Sequence, residues 1–368
     1  MILPRFPVYV PTKGRYKNPL TIRFLMADGV PFKAVVEPQE EHLYAPVCGP
    51  ENLLVLPHRD KGLAPTRNWI WEHAKEQGAE WFWMFDDNID EIRRLWCGER
   101  ISCDAGPAMR ACEDFTLRYE NMALTGMNYR TFARPTSPAY RKNVHVYSNQ
   151  LLRTALPHRF RLLYNDDTDL CLQLLTDGWC TALINVFMID KRATMSTKGG
   201  NWTDETGPIN YQGDGRLKMA RVLEATWPGI VETKWRFGRP QHVVHWGRFK
   251  QEWRLRDDVD PATLTGWNDY GLKLKVVGEI EDPGLRAMVE RTAPGAIEAF
   301  SMPAPSAPPA PATHNEEAEV TPATRSVPHP RNCACLACEY SAILQEERDR
   351  RPHLARVDDD LVPLWEEN

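Results

Sequence analysis

No run of about 18 apolar residues occurs in this 368-residue chain, so no membrane-crossing helix is expected and no membrane partner is called for. The opening MILPRFPVYVPTKGR lacks the basic-then-apolar form of a secretory signal and reads as an early strand. Neither GxGxxG nor GxxxxGK with a following Ser or Thr is present, and no segment repeats. Two common phosphate-cradling loops are thereby excluded. The nine cysteines are odd in number and irregular in spacing, in a chain too long to need covalent staples. Free thiols in a reducing cytoplasm are expected; Cys171 and Cys180 are a geometrically possible pair, with buried thiols the expected state.

What is abundant sits unevenly. The 30 prolines cluster late, and 13 tryptophans exceed what packing needs, which leaves some for contact with other rings. The net charge of −5 conceals a division. Residues 1–275 carry 37 Lys and Arg against 33 Asp and Glu, whereas the remainder carries 8 against 17. Within the first part, residues 191–256 hold 13 basic and 6 acidic side chains. Such a tract suits a polyanionic partner; a solvated face gives the same count.

FPVYVP, PFKAVVEP, NLLVLP and WFWMF are short apolar runs bounded by Pro, Gly or Asp, as buried strands are. Helical spacing appears near 17–28, 65–77, 108–121 and 216–227, and in TDLCLQLLTDGW before the strand-like CTALINVFMI. Residues 241–256 read as a strand leading into a helix or loop. This alternation predicts an α/β fold, a mixed and mostly parallel sheet with helices on both faces. The expected domains are 1–275 for the α/β body, 276–300 for a helical extension, 301–331 for a Pro/Ala-rich linker, and 332–368 for a cysteine cluster with a charged helical tail.

In such sheets ligands gather at the carboxyl ends of the strands. Four strand ends here carry polar groups: Thr12 and Arg15 after FPVYVP, Glu37 after FKAVV, DKGLAPTRN after LLVLP, and Asp86-Asp87-Asn88 after WFWMF. The last tripeptide offers hard oxygens suited to Mn²⁺ or Mg²⁺, and adjacent carboxylates need a cation or donors to offset their repulsion. Its alternative is a turn in which Asn88 or Asp90 caps a helix made of EIRRLW. A second acidic group, YNDDTDL, puts Asp166, Asp167 and Asp169 at a helix start; one acid suffices for a cap, and a carboxylate facing a pocket can act as a general base.

Taken in order, PTKGR, GLAPTRN, FDDNI, YNDDTDLCLQLLTDGWCTALIN, TMSTKGGN, GDGR and KWRFGRPQHVVHW resemble the TET/JBP-associated glycosyltransferases. These are a mostly phage and bacterial branch linked to modified DNA bases, related to the inverting family 2 enzymes of the GT-A fold. The resemblance spans roughly Pro7 to Lys250, and YNDDTDL and KGGN are its most specific parts. It implies a nucleotide-sugar donor, with UDP as the nucleotide, held by Thr12, Arg15, Glu37, Arg67, Asn68, Asp86 and Asp166. Lys198, Gly199, Gly200 and Asn201 would cover the diphosphate or sugar. Asp87 would hold the divalent metal and Asp167 would be the catalytic base. The family's late histidine, a metal or diphosphate ligand, is His242 by its pattern, with His245 the runner-up. Asp166 stands where relatives carry Glu.

The implied acceptor is a hydroxymethylated pyrimidine in DNA, such as 5-hydroxymethylcytosine. Arg236, Arg239, Arg248, Lys250 and Trp246, with Arg254, Arg256, Trp235 and Trp253 interleaved, would contact its phosphates and stack a base. The alternatives are a polysaccharide, lipid-carrier or protein acceptor, and an inactive scaffold that binds nucleic acid. His329, Cys333, Cys335 and Cys338 have the donor types for one tetrahedral Zn²⁺, set against a proline-rich context that need not fold.

Overall fold

Apolar residues at all five positions of WFWMF require a strand covered on both faces. The computed structural model, which describes residues 2–96, 99–191, 215–236, 238–260 and 282–292, supplies both covers. Among these residues ten strands form one sheet: β1 (Val8–Pro11), β2 (Lys33–Val36), β3 (Leu53–Val55), β4 (Trp81–Phe85), β5 (Ile89–Trp96), β6 (Glu99–Ser102), β7 (Met122–Tyr129), β8 (Tyr140–Lys142), β9 (Asn149–Arg153) and β10 (Cys180–Lys191). Their order is β3-β2-β1-β4-β9-β7-β10-β5-β6, with β8 also on β10. β5, β8 and β9 run against all the others, so the sheet is mixed and mostly parallel.

The helices are α1 (Leu20–Ala27), α2 (Glu41–Cys48), α3 (Leu63–Glu76), α4 (Ala105–Thr116), α5 (Asp166–Thr176), α6 (Gly215–Thr226) and α7 (Pro283–Thr292). Side chains alternate across a strand, and the core divides accordingly. Trp81, Trp83 and Phe85 join Ile22 and Leu25 of α1, Tyr44 of α2 and Met109 of α4. Phe82 and Met84 join Ile70 and Trp71 of α3 and Leu170 and Leu174 of α5. A separate hairpin, β11 (Val231–Arg236) and β12 (Arg239–Val244), follows α6.

The EIRRLW segment is strand β5, not a capped helix, which removes the capping explanation for Asp86-Asp87-Asn88. Ile89 and Ile92 have helical spacing yet enter the same core. A register shift opposite Asp190 and Lys191 inserts an extra residue on β5, and this turns both isoleucines inward. Cys171 and Cys180 are free buried thiols. Among the described residues no helix is long and apolar enough to cross a membrane.

The chain divides into two units. One comprises Met1–Trp235, Pro240–Ser301 and Asn368; the other comprises Arg236–Arg239 and Met302–Glu367, of which only Arg236, Gly238 and Arg239 are described. The linker at 301–331, the cysteine cluster with His329, Cys333, Cys335 and Cys338, and the Lys198-Gly199-Gly200-Asn201 turn lie outside the described residues.

Strand direction sets where polar groups can meet. β1, β4, β7 and β10 bring their carboxyl ends to one edge of the sheet. β9 runs the other way, so its first residue, Asn149, stands opposite Phe85 at that same edge. Asp86 N then donates to Ser148 O at 2.8 Å. The Asn149 amide bridges to Met127, accepting from its N at 2.6 Å and donating to its O at 2.7 Å. This close approach needs Gly126, whose Cβ would lie 2.2 Å from Asn149 O.

Candidate active site

Asp86, just beyond β4, lies between two cations. Arg67 on α3 donates to its Oδ1 at 2.8 Å, and Lys191 at the end of β10 donates to its Oδ2 at 2.8 Å. Burial opposes the charge of Asp86, but Lys191 and Arg67 outweigh it and hold the carboxyl down at about 2. The other arm of the same guanidinium donates to Asp166 Oδ2 at 2.7 Å, while Arg67 Cζ lies 5.1 Å from the centre of the Phe160 ring. Arg67 is buried, so one fork ties the end of β4 to the start of α5. This brings together two acidic motifs far apart in the sequence.

Asp166 and Asp167 open α5, where the helix dipole favours negative charge. Their environments nevertheless separate them. Burial lifts Asp166 to about 6 even against Arg67. Burial opposes charge on Asp167 too, but His145, 3.2 Å from its Oδ2, and Arg67 hold it well below the usual carboxylate range. Thr168 N donates to Asp167 Oδ1 at 2.7 Å. Asp169 turns elsewhere: it is fully buried and accepts from Arg161, Gln173 and Trp227 Nε1. The triple acid is thus two site carboxylates and one structural one.

Asp87 meets the polar end of β1. Thr12 Oγ1 donates to its Oδ2 at 2.8 Å, and Arg15 pairs with its Oδ1. Tyr44 OH fixes both partners, lying 2.8 Å from Thr12 Oγ1 and accepting from Arg15 N at 2.9 Å. Burial raises the Asp87 carboxyl despite Arg15. Glu37, beyond β2, forms a neighbouring cluster: Lys13 lies 2.9 Å from its Oε2, and Asp60 N donates to its Oε1 at 3.0 Å. Asn68 is engaged at both ends of its amide, donating to Phe160 O at 2.7 Å and accepting from Phe160 N at 2.9 Å. It holds the segment that leads into α5.

Four residues of this site were not anticipated. Lys191 also bonds Ser148 Oγ and lies 3.4 Å from Tyr129 OH, and Tyr129 OH lies 2.6 Å from Ser148 Oγ. The strand-end rule applied to the earlier strands would have found Lys191, the first cation at the end of CTALINVFMIDK. His145 and Ser148 lie between β8 and β9, where no local pattern marks them.

The late histidines point differently. His242 lies on β12, where burial and the charge of His145 lower its imidazole to about 4, leaving it neutral; Asp167 is also within electrostatic reach. His245 follows the strand and pairs with Glu232 Oε1 at 2.7 Å. For a metal, no three ligating His, Cys, Asp or Glu side chains cluster among the described residues. Mn²⁺ and Mg²⁺ need fewer, since they retain water and share a substrate's phosphates. Asp87, the adjacent Asn88 whose buried Oδ1 has no hydrogen-bond partner, and the neutral His242 supply suitable donor types.

The late basic tract does not present a continuous face of free rings and cations. Trp253 was expected to stack a base but is only 9% exposed, because it packs on Phe115, Tyr119 and Tyr140. Trp246 is half-buried and stacks on His145. Arg248 donates to Gly229 O, Arg254 pairs with Glu120, and Arg256 pairs with Asp258. Trp235, by contrast, is 71% exposed, and Lys250 is exposed.

A family model described as TET-Associated Glycosyltransferase matches residues 6–200, more than half of the chain. No curated protein matches it. Among solved structures, the mannose-1-phosphate geranyltransferase from Thermus thermophilus is similar at 14% identity and a TM-score of 0.25. The match covers 49% of this chain and 57% of that one, and a likeness this loose carries no argument.

Proposed function

The chain belongs to the TET-associated glycosyltransferase family, and from that premise we propose that it moves a sugar from a nucleotide sugar, with UDP as the nucleotide, to the hydroxyl of a hydroxymethylated pyrimidine in DNA. The observation that carries this reading is the Arg67 fork, which joins Asp86 and Asp166 and brings Asp167 to the same edge as Asp87, Thr12 and Arg15. Cations and carboxylates converge there without a P-loop, as a diphosphate-linked donor requires. Thr12, Arg15 and the Glu37 cluster hold the nucleotide, and Asp86 orients its ribose.

The transfer is a single displacement. The acceptor oxygen bonds to the anomeric carbon as the bond from that carbon to the diphosphate oxygen breaks, and the electron pair leaves with the diphosphate. Asp167 receives the acceptor's proton. One base and no protein nucleophile suffice, so the anomeric configuration inverts. Asp87, Asn88 and His242 have the donor types that would hold a divalent cation, which would supply positive charge at the diphosphate. Support for a DNA acceptor comes from the family, the excess of basic residues over 191–256, and the exposed Trp235.

Asp87→Ala tests the donor half of this reading. UDP is expected to bind wild type more tightly with Mn²⁺ than without, and the variant is expected to lose that difference. Titration calorimetry with and without the ion makes the comparison; equal metal dependence in the two proteins would remove Asp87 from the site.

A further inference from the structure

The acidic motifs account for the base but not for what holds it. An aspartate at a helix start is mobile about two torsions, and a general base must meet the acceptor hydroxyl within hydrogen-bond reach. Asp167 is restrained on both oxygens. Thr168 N holds Oδ1 at 2.7 Å, and His145 Nε2 stands 3.2 Å from Oδ2.

His145 is itself fixed. Its ring lies nearly parallel to Trp246, at 9° with centroids 6.0 Å apart, and the centre of the Tyr147 ring lies 4.3 Å from its own. Thr168 Oγ1 is 3.3 Å from the same Nε2. The imidazole is also the main group that offsets burial in keeping Asp167 ionised.

The loop that carries His145 does not depend on the imidazole for its shape. Asn143 donates to Gln251 O at 2.8 Å, Val144 O accepts from Thr181 Oγ1 at 2.7 Å, and Val146 N donates to Cys171 Sγ at 3.4 Å. Val144, Val146 and Tyr147 are buried in the apolar clusters on either side. The polar tip of His145 is therefore spent on Asp167 and Thr168.

We propose that His145 is a positioning residue for the glycosyl transfer: its Nε2–H clamps Asp167 Oδ2, Thr168 N–H holds Oδ1, and stacking on Trp246 sets the plane of the ring. The carboxylate is thereby presented with one orientation to the incoming hydroxyl. This rests on the reading of Asp167 as the base. It adds a residue that none of the acidic motifs contains, and it makes the segment after β12 a support for the base through Trp246.

Steady-state kinetics of His145→Ala, His145→Gln and Asp167→Asn on hydroxymethylated DNA, with donor binding and thermal midpoints measured alongside, test the proposal. His145→Ala is expected to lose about tenfold to a hundredfold in kcat, part of what a general base contributes. Donor affinity and the acceptor KM should stay within about twofold. His145→Gln should recover most of the loss, because its amide can donate to the same carboxylate oxygen.

A His145→Ala enzyme with wild-type kcat would overturn the proposal, as would a glutamine variant no better than alanine or a loss shared equally by donor binding. Activity lost in Asp167→Asn but kept in His145→Ala sinks this inference alone. Activity kept in Asp167→Asn sinks the reading of the base on which it rests.

Discussion

Asp167→Asn should abolish transfer while leaving donor binding intact. The expected loss is about 10² to 10⁴ in kcat, the range a positioned general base contributes. The substitution is nearly isosteric, and its amide oxygen can still accept from Thr168 N, which Asp167 Oδ1 does at 2.7 Å. The start of α5 should therefore keep its shape, and Arg67 would still join Asp86 to Asp166.

Asp167 is held well below the usual carboxylate range, so at neutral pH it is ionised and ready to accept a proton. A weak base of this kind suits a hydroxyl whose proton becomes acidic only as its oxygen bonds to the anomeric carbon. Asp166, lifted to about 6, is the neighbouring carboxyl to which substantial residual turnover would point instead. Kinetics on the acceptor, with donor binding by calorimetry, separate the two.

The second large effect is on stability. Arg67→Met removes the buried guanidinium that serves the buried Asp166 and the half-buried Asp86, and breaking a buried pair from one side costs about 3–5 kcal/mol. Lys191 still serves Asp86, so most of the cost falls on Asp166. In wild type, burial already raises Asp166 above its ordinary carboxylate value to about 6. The folded state therefore binds more protons than the unfolded state across that window, and this group's contribution to stability falls as pH rises through it.

Without Arg67 the carboxyl shifts further upward, so the window extends to higher pH. The variant should lose more stability at pH 8 than at pH 6, as denaturant unfolding at the two values would show. Arg67→Lys should fall between, since an ammonium can meet one carboxylate but cannot fork across two. A pH-independent loss would mean that Asp166 is not the group left unpaired.

Much of this site was legible because its residues follow a local rule. Thr12, Arg15, Asp86 and Asp87 come directly after apolar runs that could only be buried strands, and strand direction then places them together. Asp166 and Asp167 were legible as more acid than a helix start requires. What escaped the sequence arrives through tertiary pairing. Lys191 reaches Asp86 because β10 runs parallel to β7 in a sheet whose order cannot be read from spacing.

His145 meets Asp167 only because the loop before β9 folds over α5. EIRRLW was open to a helical reading because Asn88 or Asp90 could cap it, and the bulge that turns Ile89 and Ile92 to one face of a strand leaves no local mark. The tryptophans misled in the same way: Trp253 and Trp235 have similar polar neighbours in sequence, but one packs among Phe115, Tyr119 and Tyr140 while the other faces solvent.

The most direct measurement incubates the full chain with DNA containing 5-hydroxymethylcytosine, Mn²⁺ and a panel of nucleotide sugars, then weighs the nucleosides released by digestion. A hydroxymethylated nucleoside heavier by one glycosyl residue is expected with one of the donors, and it should be absent when Asp167→Asn replaces the wild type. Unchanged nucleosides with every donor, while the same preparation glycosylates a polysaccharide or protein, would contradict the assignment of DNA as the acceptor.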